Sequence, residues 1–206
     1  MIRSFPEDSP VVDIVKVTKV YPPDIVAVQN VSLAVTKGEL LFLTGMSGAG
    51  KTTLCNALLK QFPDLKYSIS HTTRPPRNIE QEGVDYYFTS IQEFKKHIDH
   101  NMWAEWAQVH GHFYGTSATF IDNELSNVCV ILLDIDVQGA KQILSRYPNA
   151  ITIFIMPPSI NELAQRLKNR GSDSNETIAK RLKAAETEIT QKDFYTHVIT
   201  NDILDE

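Results

Sequence analysis

The chain has 206 residues, of which 42% are hydrophobic, and this is enough for one substantial core. Its formal net charge of −5 argues against a generally basic nucleic-acid-binding protein. No apolar run approaches the length of a membrane span, and residues 1–10 lack a signal-peptide core. We therefore expect a cytoplasmic protein with neither a nucleic-acid nor a membrane partner.

The first half of the chain predicts strands, a glycine-rich loop and two helices. Residues 11–17 and 26–35 alternate like half-buried strands, with a turn at 21–24 between them. The later predictions are a strand at 40–44, a helix at 51–61, a strand at 67–71, a polar loop at 72–85, a helix at 91–100 and an extended segment at 103–109.

The second half predicts alternating helices and strands. Thr116 is predicted to cap a helix that ends near Ser126, and Ser159 and Glu162 form a capping-box pattern. The continuous apolar run 128–133, which ends at Asp134, is typical of a strand buried on both faces of a parallel sheet. The other predictions are a helix to 146, a strand at 151–156, helices at 159–169 and 176–191, and a strand at 197–200. This alternation predicts an α/β fold with a mainly parallel sheet.

Residues 45–52 match the phosphate-loop pattern G-x-x-x-x-G-K-[ST] between a predicted strand and a predicted helix. Glycines let successive N–H groups turn inward around an anion, and the helix N-terminus adds partial positive charge. We expect Lys51 to reach the β- and γ-phosphates and Thr52 to ligate Mg²⁺. The predicted ATP-binding residues of this segment are Gly45, Ser47, Gly48, Ala49, Gly50, Lys51, Thr52 and Thr53.

Five of the seven arginines fall within two short stretches, 74–77 and 166–181. Clustered guanidinium groups are suited to bind phosphate. The alternative is that these arginines lie on two solvent-exposed faces of the protein. Arg74 and Arg77, with Tyr86 and Tyr114 downstream, are suited to clamp a monophosphate; a mobile surface loop is the alternative.

The motifs that follow the phosphate loop resemble the guanylate kinase family over about residues 40–204. They are the segments 68–77, 85–88, 105–107, 111–116 and 133–139, then Arg166, Arg170, Arg181 and Asn201-Asp202. The resemblance implies a P-loop NTPase fold with a β-rich GMP-binding subdomain and a helical lid. It also implies transfer of the γ-phosphoryl group of ATP to GMP, and to dGMP, by a monomer or homodimer.

The resemblance divides the chain into a core, a GMP-binding part and a lid. The core comprises 39–66, 128–158 and 193–206, the GMP-binding part about 67–127, and the lid about 159–192. Residues 1–38 precede this unit as an N-terminal extension.

Glu105 lies between Trp103 and Trp106, and a partly buried carboxylate needs hydrogen-bond donors. Guanine offers an adjacent pair, N1–H and the 2-amino group, whereas adenine offers none, so such a site can discriminate by about 10⁴. The alternative is a surface carboxylate on a strand. The full predicted GMP-binding set, on which the resemblance agrees, is Ser70, Arg74, Arg77, Glu80, Tyr86, Glu105, Tyr114, Thr116 and Asp136.

Asp134 ends the central apolar strand, where ligands of open α/β sheets collect. It looks like the acid that holds Mg²⁺ together with Thr52, either directly or through a water molecule. Asp136 is expected either at the guanine amino group or in the outer shell of the metal. The resemblance implies that Arg166, Arg170 and Arg181 close over ATP, that Arg170 stacks on adenine and that Asn201 meets the base edge. For Arg166 a solvated helix face is the alternative.

Catalysis is expected to need no general base, because the phosphate of GMP is largely anionic at pH 7. The expected catalytic residues therefore act by positioning and charge stabilisation. They are Lys51, Arg74, Arg166, Arg170 and Arg181.

Residues 11–55 resemble ABC-type ATPases of the bacterial cell-division type, with Tyr21 matching the aromatic residue that stacks on adenine in those proteins. An ABC-type ATPase subunit is therefore one alternative function, although the chain contains no L-S-G-G-Q signature. A catalytically inactive, guanylate-kinase-like binding domain is another. The intact Gly45, Gly50, Lys51 and Thr52 favour an enzyme.

Overall fold

A computed structural model describes residues 10–21, 25–77, 79–109, 111–169 and 174–202, with only the backbone described for 19–21 and 25–31. The strands are β1 Val12–Tyr21, β2 Ile25–Val35, β3 Leu40–Gly45, β4 Leu65–Tyr67, β5 His71–Thr72, β6 Tyr87–Phe88, β7 Trp103–Val109, β8 His112–Ser117, β9 Val130–Asp134, β10 Ile151–Met156 and β11 His197–Thr200. The helices are α1 Lys51–Gln61, α2 Ile91–Asp99, α3 Ala118–Ser126, α4 Val137–Arg146, α5 Ile160–Asn169 and α6 Asn175–Ile189.

The central sheet has five parallel strands in the order β11-β10-β3-β9-β4. Every residue of β3 is buried, as is most of β9 and β10, because helices cover both faces of a parallel sheet. The α/β prediction is thus confirmed. The carboxyl ends of β3 and β9 lie side by side, so the glycine-rich loop and Asp134 meet at one edge.

A second sheet has the order β6-β5-β8-β7 and is mostly antiparallel. The ring of Phe94 on α2 stacks on Trp103 of β7 with centroids 4.5 Å apart, and both side chains are buried. This aromatic packing gives the small sheet its own apolar centre.

The predicted strand 67–71 is wrong, because the chain changes sheets there. The amide of Ser68 still donates to Leu132 of the central sheet, at 3.0 Å, whereas the carbonyl of Ser70 accepts from Tyr87 of the second sheet, also at 3.0 Å. Two short strands, β4 and β5, therefore stand where one was predicted.

Two other predicted boundaries are wrong for local reasons. The cap of α3 is Ser117 rather than Thr116: the Ser117 hydroxyl accepts the amide of Phe120 at 3.2 Å, whereas Thr116 belongs to β8. The strand predicted from 128 begins at Val130. Val128 instead adopts φ 57° and donates its amide to Leu125, which terminates α3.

The N-terminal strands β1 and β2 form an antiparallel pair of their own, with irregular register. Val12, Leu33 and Val35 are buried in the main core, and β2 lies beside β11. Val15 and Val17 are exposed. The pair therefore packs on the core without joining the central sheet. The side chain of Tyr21, and with it the predicted adenine stacking, lies outside the described residues.

Within the described part of the chain the longest helix, α6, has 15 residues. None of the described helices has the length and apolar character that crossing a bilayer requires.

Candidate active site

The phosphate loop joins the buried strand β3 to the N-terminus of α1. Gly45, Gly48 and Gly50 have φ values of 132°, 97° and 91°, which side chains rarely adopt. A Cβ at Gly45 would also collide with the carbonyl oxygen of Ile155 on β10. Because Gly50 precedes α1, the first amides of this helix are presented without a side chain in front of them. The loop is therefore a backbone anion site.

Two side chains of α1 form hydrogen bonds to the phosphate loop and to Asp134. Lys51 Nζ donates to the Gly45 carbonyl at 2.9 Å, which folds the ammonium group back over the loop. Thr52 Oγ1 donates to Asp134 Oδ2 at 3.1 Å. A hydroxyl and a carboxylate are the hard oxygen ligands that Mg²⁺ takes, with waters and phosphates completing its shell. The residues present therefore fit the ion.

The predicted residues on the ATP side meet around the same loop. Asn201 Nδ2 donates to the Ala49 carbonyl at 2.8 Å, and Arg181 Nη1 donates to Ser47 Oγ at 3.3 Å. Arg166 instead donates to the carbonyl oxygens of Asn201 and Asp202, at 3.0 and 2.7 Å, and so ties α5 to the segment after β11. Arg170 lies outside the described residues.

The second sheet carries an arginine cluster in the predicted monophosphate position. Arg74 pairs with Glu80 through two hydrogen bonds of 2.9 and 2.8 Å, and its Nε donates to the Tyr114 hydroxyl at 3.2 Å. The ring of Tyr86 lies 5.3 Å from the Arg74 guanidinium carbon. Arg77 reaches Glu80 through its backbone amide, at 2.8 Å, while its side chain is 65% exposed. The four predicted phosphate ligands are thus neighbours, with Glu80 as their internal counterion.

The Arg74–Glu80 pair is largely withdrawn from water, each side chain being 12% exposed. The hydrogen bonds to Glu80 raise the pKa of Arg74, and those from Arg74 lower the pKa of Glu80. Both groups are therefore charged at neutral pH, and Arg74 is held in place before any phosphate binds.

Glu105 of β7 is buried, with 5% of its surface exposed, and its Oε1 accepts from Thr116 Oγ1 at 2.6 Å. Burial raises the pKa of Glu105 to about 7, opposed by the Thr116 hydrogen bond and assisted by the nearby charge of Asp136. Asp136 caps α4, since its Oδ1 accepts the Gly139 amide at 2.7 Å. The surface-carboxylate alternative for Glu105 is therefore wrong, and the group is poised to accept donors.

Ser70 lies at the crossing between the two sheets, next to His71. The His71 ring lies between Tyr87 and Trp103, with centroids 4.8 and 4.9 Å away, and burial lowers its pKa. His71 is thus a packing residue of the second sheet, apart from the chemistry.

Sequence reasoning missed three residues beside the predicted site. Gln142 hydrogen-bonds both backbone polar groups of Trp106, and Gly139 lies against the Glu105 carboxylate. Glu188 of α6 has its pKa raised, chiefly by burial, and feels the charges of Lys51 and Asp136. Gly139 lies within the motif segment 133–139 but has no predicted role of its own. No motif marks Gln142 or Glu188, because their neighbours come from distant parts of the chain.

A phosphate loop beside a hydroxyl and a carboxylate that fit Mg²⁺, together with an arginine and tyrosine cluster and a buried carboxylate, is the arrangement expected of a P-loop kinase for a small phosphorylated acceptor. Comparison with known proteins identifies which family of P-loop kinases this chain resembles. The family model described as guanylate kinase matches residues 37–206. The guanylate kinase of Geobacter sulfurreducens is 46% identical over 166 residues, covering 81% of this chain and 82% of that protein. The one from Pseudoalteromonas translucida is 49% identical over 173 residues, 84% of each chain.

Among solved structures, the guanylate kinase of Anaplasma phagocytophilum superimposes with a TM-score of 0.66 at 34% identity, covering 81% of this chain and 78% of that one. The chain belongs to the guanylate kinase family, and it is an enzyme of the P-loop NTPase fold that phosphorylates GMP with ATP.

The alternative functions are not favoured. The match extends through the second sheet and the helices α5 and α6, so the resemblance to ABC-type ATPases concerns only the front of the chain. Residues 1–36 precede the family match, and the likeness of residues 11–55 to ABC-type ATPases stays a prediction.

Proposed function

We propose that this chain converts GMP, and also dGMP, to the diphosphate with Mg²⁺–ATP, and that the residues described above divide the work between two nucleotide sites. The buried Glu105 carboxylate carries the assignment of the acceptor, because an acceptor with two adjacent donors satisfies it and adenine would leave it unpaired. Ser70 and Thr116 complete the contacts to the base edges, and Asp136 lies close enough to Glu105 to influence it electrostatically.

On the ATP side, the amides of residues 45–53 hold the phosphates, Lys51 leaves the Gly45 carbonyl for the β- and γ-phosphates, and Asn201 faces the base. Thr52 and Asp134 would hold Mg²⁺, which when bound would neutralise negative charge on the phosphates of ATP. Arg166, Arg170 and Arg181 act from the lid, about residues 159–192, and Arg170 also stacks on adenine.

On the acceptor side, Arg74, Arg77, Tyr86 and Tyr114 hold the phosphate of GMP. Glu80 positions Arg74 through their paired hydrogen bonds, so that Arg74 exchanges part of this pairing for phosphate oxygens. The GMP-binding part is assigned to about 67–127.

The transfer itself requires two nucleotides in line and needs no proton movement. An oxygen of the GMP phosphate attacks the γ-phosphorus of ATP, the bond to the bridging oxygen breaks, and ADP leaves with the electron pair. Lys51 and the arginines stabilise the charge spread over the transferring group, and closure of the lid excludes water. The proposed compartment is the cytoplasm, and the proposed state is a monomer or homodimer.

The test is ADP formation by the purified chain with ATP, Mg²⁺ and either GMP or AMP. Rapid ADP formation that depends on GMP and ignores AMP is expected. Slow hydrolysis of ATP, equal with and without GMP, would contradict the proposal and favour the ABC-like alternative.

A further inference from the structure

The carboxylate of Glu105 lies against the first turn of α4, at a position that has no side chain. A Cβ built on Gly139 would collide with Oε2 of Glu105 and would lie only 2.9 Å from its Cδ and 3.3 Å from its Cγ. Gly139 has an ordinary helical conformation, since it is absent from the glycines of positive φ. Alanine is the better helix former, so helix propensity does not explain a glycine here. The glycine is explained by the lack of room for a Cβ beside Glu105.

Gln142, one helical turn after Gly139, holds the backbone next to the same carboxylate. Its Oε1 accepts the amide of Trp106 at 3.1 Å, and its Nε2 donates to the Trp106 carbonyl at 2.7 Å. Residues three apart lie on one face of a helix, so Gly139 and Gln142 both face β7. The peptide that follows Glu105 is thereby fixed to α4.

The N-terminus of α4 lies close to the predicted ATP site. Asp136 caps α4 through the Gly139 amide, and Asp134, two residues earlier, bonds to Thr52. The helix therefore connects the acid at the metal position with the strand that carries Glu105.

We propose that Gly139 and Gln142 are positioning residues for guanine recognition: Gly139 leaves the space that the Glu105 carboxylate occupies, and Gln142 fixes the peptide that follows it. This inference rests on the proposed role of Glu105. A carboxylate held in place before binding loses little freedom when the base arrives, which favours affinity for the correct base.

The test compares Gly139→Ala and Gln142→Met with the wild type, using GMP and IMP as acceptors. IMP is GMP without the 2-amino group, so the ratio of the two kcat/KM values reports the carboxylate contact. We expect this ratio to fall about tenfold in each variant through KM for GMP, with kcat changed less than about twofold, because a hydrogen bond to a charged group is lost. Lys141→Met, an exposed position on α4, places the same side chain one residue away and is expected to leave the ratio unchanged.

Repeating the measurement in the Glu105→Ala background distinguishes failure of this inference from failure of the proposed function. If Gly139 acts through Glu105, Gly139→Ala lowers the ratio in the native background and has no further effect in Glu105→Ala. A ratio that stays native in both Gly139→Ala and Gln142→Met, while Glu105→Ala lowers it, would overturn the inference and leave the proposed function intact. A native ratio in Glu105→Ala would overturn both. Should Gly139→Ala fail to fold, Gln142→Met decides by the same criterion.

Discussion

The protonation of Glu105 is expected to control GMP binding near neutral pH. Its carboxyl group is buried, and burial raises its pKa from 4.5 to about 7. In the proposed complex guanine would present two donors to this position, and only the ionised carboxylate would accept both of them. A proton on Glu105 is therefore expected to compete with GMP.

The size of the effect follows from the pKa. With a pKa of about 7, Glu105 is about 90% protonated at pH 6, about half protonated at pH 7 and about 10% protonated at pH 8. The apparent dissociation constant of GMP should then rise about tenfold from pH 8 to pH 6, because only the ionised fraction binds. Binding should release about 0.9, 0.5 and 0.1 proton at these three pH values.

The same shift has a consequence for stability with a definite sign. The folded state holds this proton up to a higher pH than the unfolded state, so the free energy of unfolding falls as pH rises from about 4.5 through 7. The full loss is about 3 kcal/mol, from about 2.5 pKa units at 1.36 kcal/mol each. Glu105→Gln should be free of this loss.

Titration calorimetry in buffers of different ionisation enthalpy measures the released protons. The phosphate of GMP also titrates, with a pKa of about 6, and its contribution is obtained from Glu105→Gln, which lacks the carboxyl group at position 105. The difference between the two proteins should be largest at pH 6. A difference of zero at all three pH values, or one that grows towards pH 8, would refute the reasoning.

Four further predictions concern the other parts of the site and the N-terminal strands. Lys51→Ala should lower kcat about 10²–10³-fold in an ADP-release assay, and undiminished turnover would show that the ATP site is wrongly assigned. Asp134→Asn should raise the magnesium concentration needed for half-maximal rate, and an unchanged requirement would exclude Asp134 as a ligand. Arg74→Lys should raise KM for GMP about tenfold or more, because an ammonium group cannot pair two oxygens in a fork, whereas an equal KM would mean that point charge suffices. Val35→Ala, at a fully buried position, should cost about 2 kcal/mol in chemical unfolding, and exposed Val17→Ala should cost little; equal effects would contradict the packing of this strand pair on the core.

The central sheet and the phosphate loop were predictable because their signals are local. The apolar runs in β9 and β10 mark strands covered on both faces, and the loop pattern specifies its own backbone. The resemblance to guanylate kinases named the acceptor-site residues, and the structure brings Arg74, Tyr86 and Tyr114 together. Their roles towards GMP stay predictions.

The contacts between distant segments could not be predicted in this way. Residues 67–71 have the pattern of one strand, yet Ser68 and Ser70 bond to different sheets, because a local pattern does not specify the partner strand. Likewise Gln142 is an ordinary polar residue of a helix until β7 packs beside it. The pairing of Arg74 with Glu80 depends on how the loop between β5 and β6 folds back.

The bond between Asn201 and Ala49 joins residues that are 152 positions apart, and the bond from Thr52 to Asp134 spans 82. During synthesis the phosphate loop, residues 45–52, therefore leaves the ribosome well before Asp134 and Asn201 have been added to the chain. The parallel pairing of β3 with β9 and β10 also joins segments that are far apart in the sequence. Because closing such long loops costs chain entropy, we expect these contacts to form slowly. A nascent chain is accordingly expected to reach its full ATP affinity only after Asn201 has been synthesised.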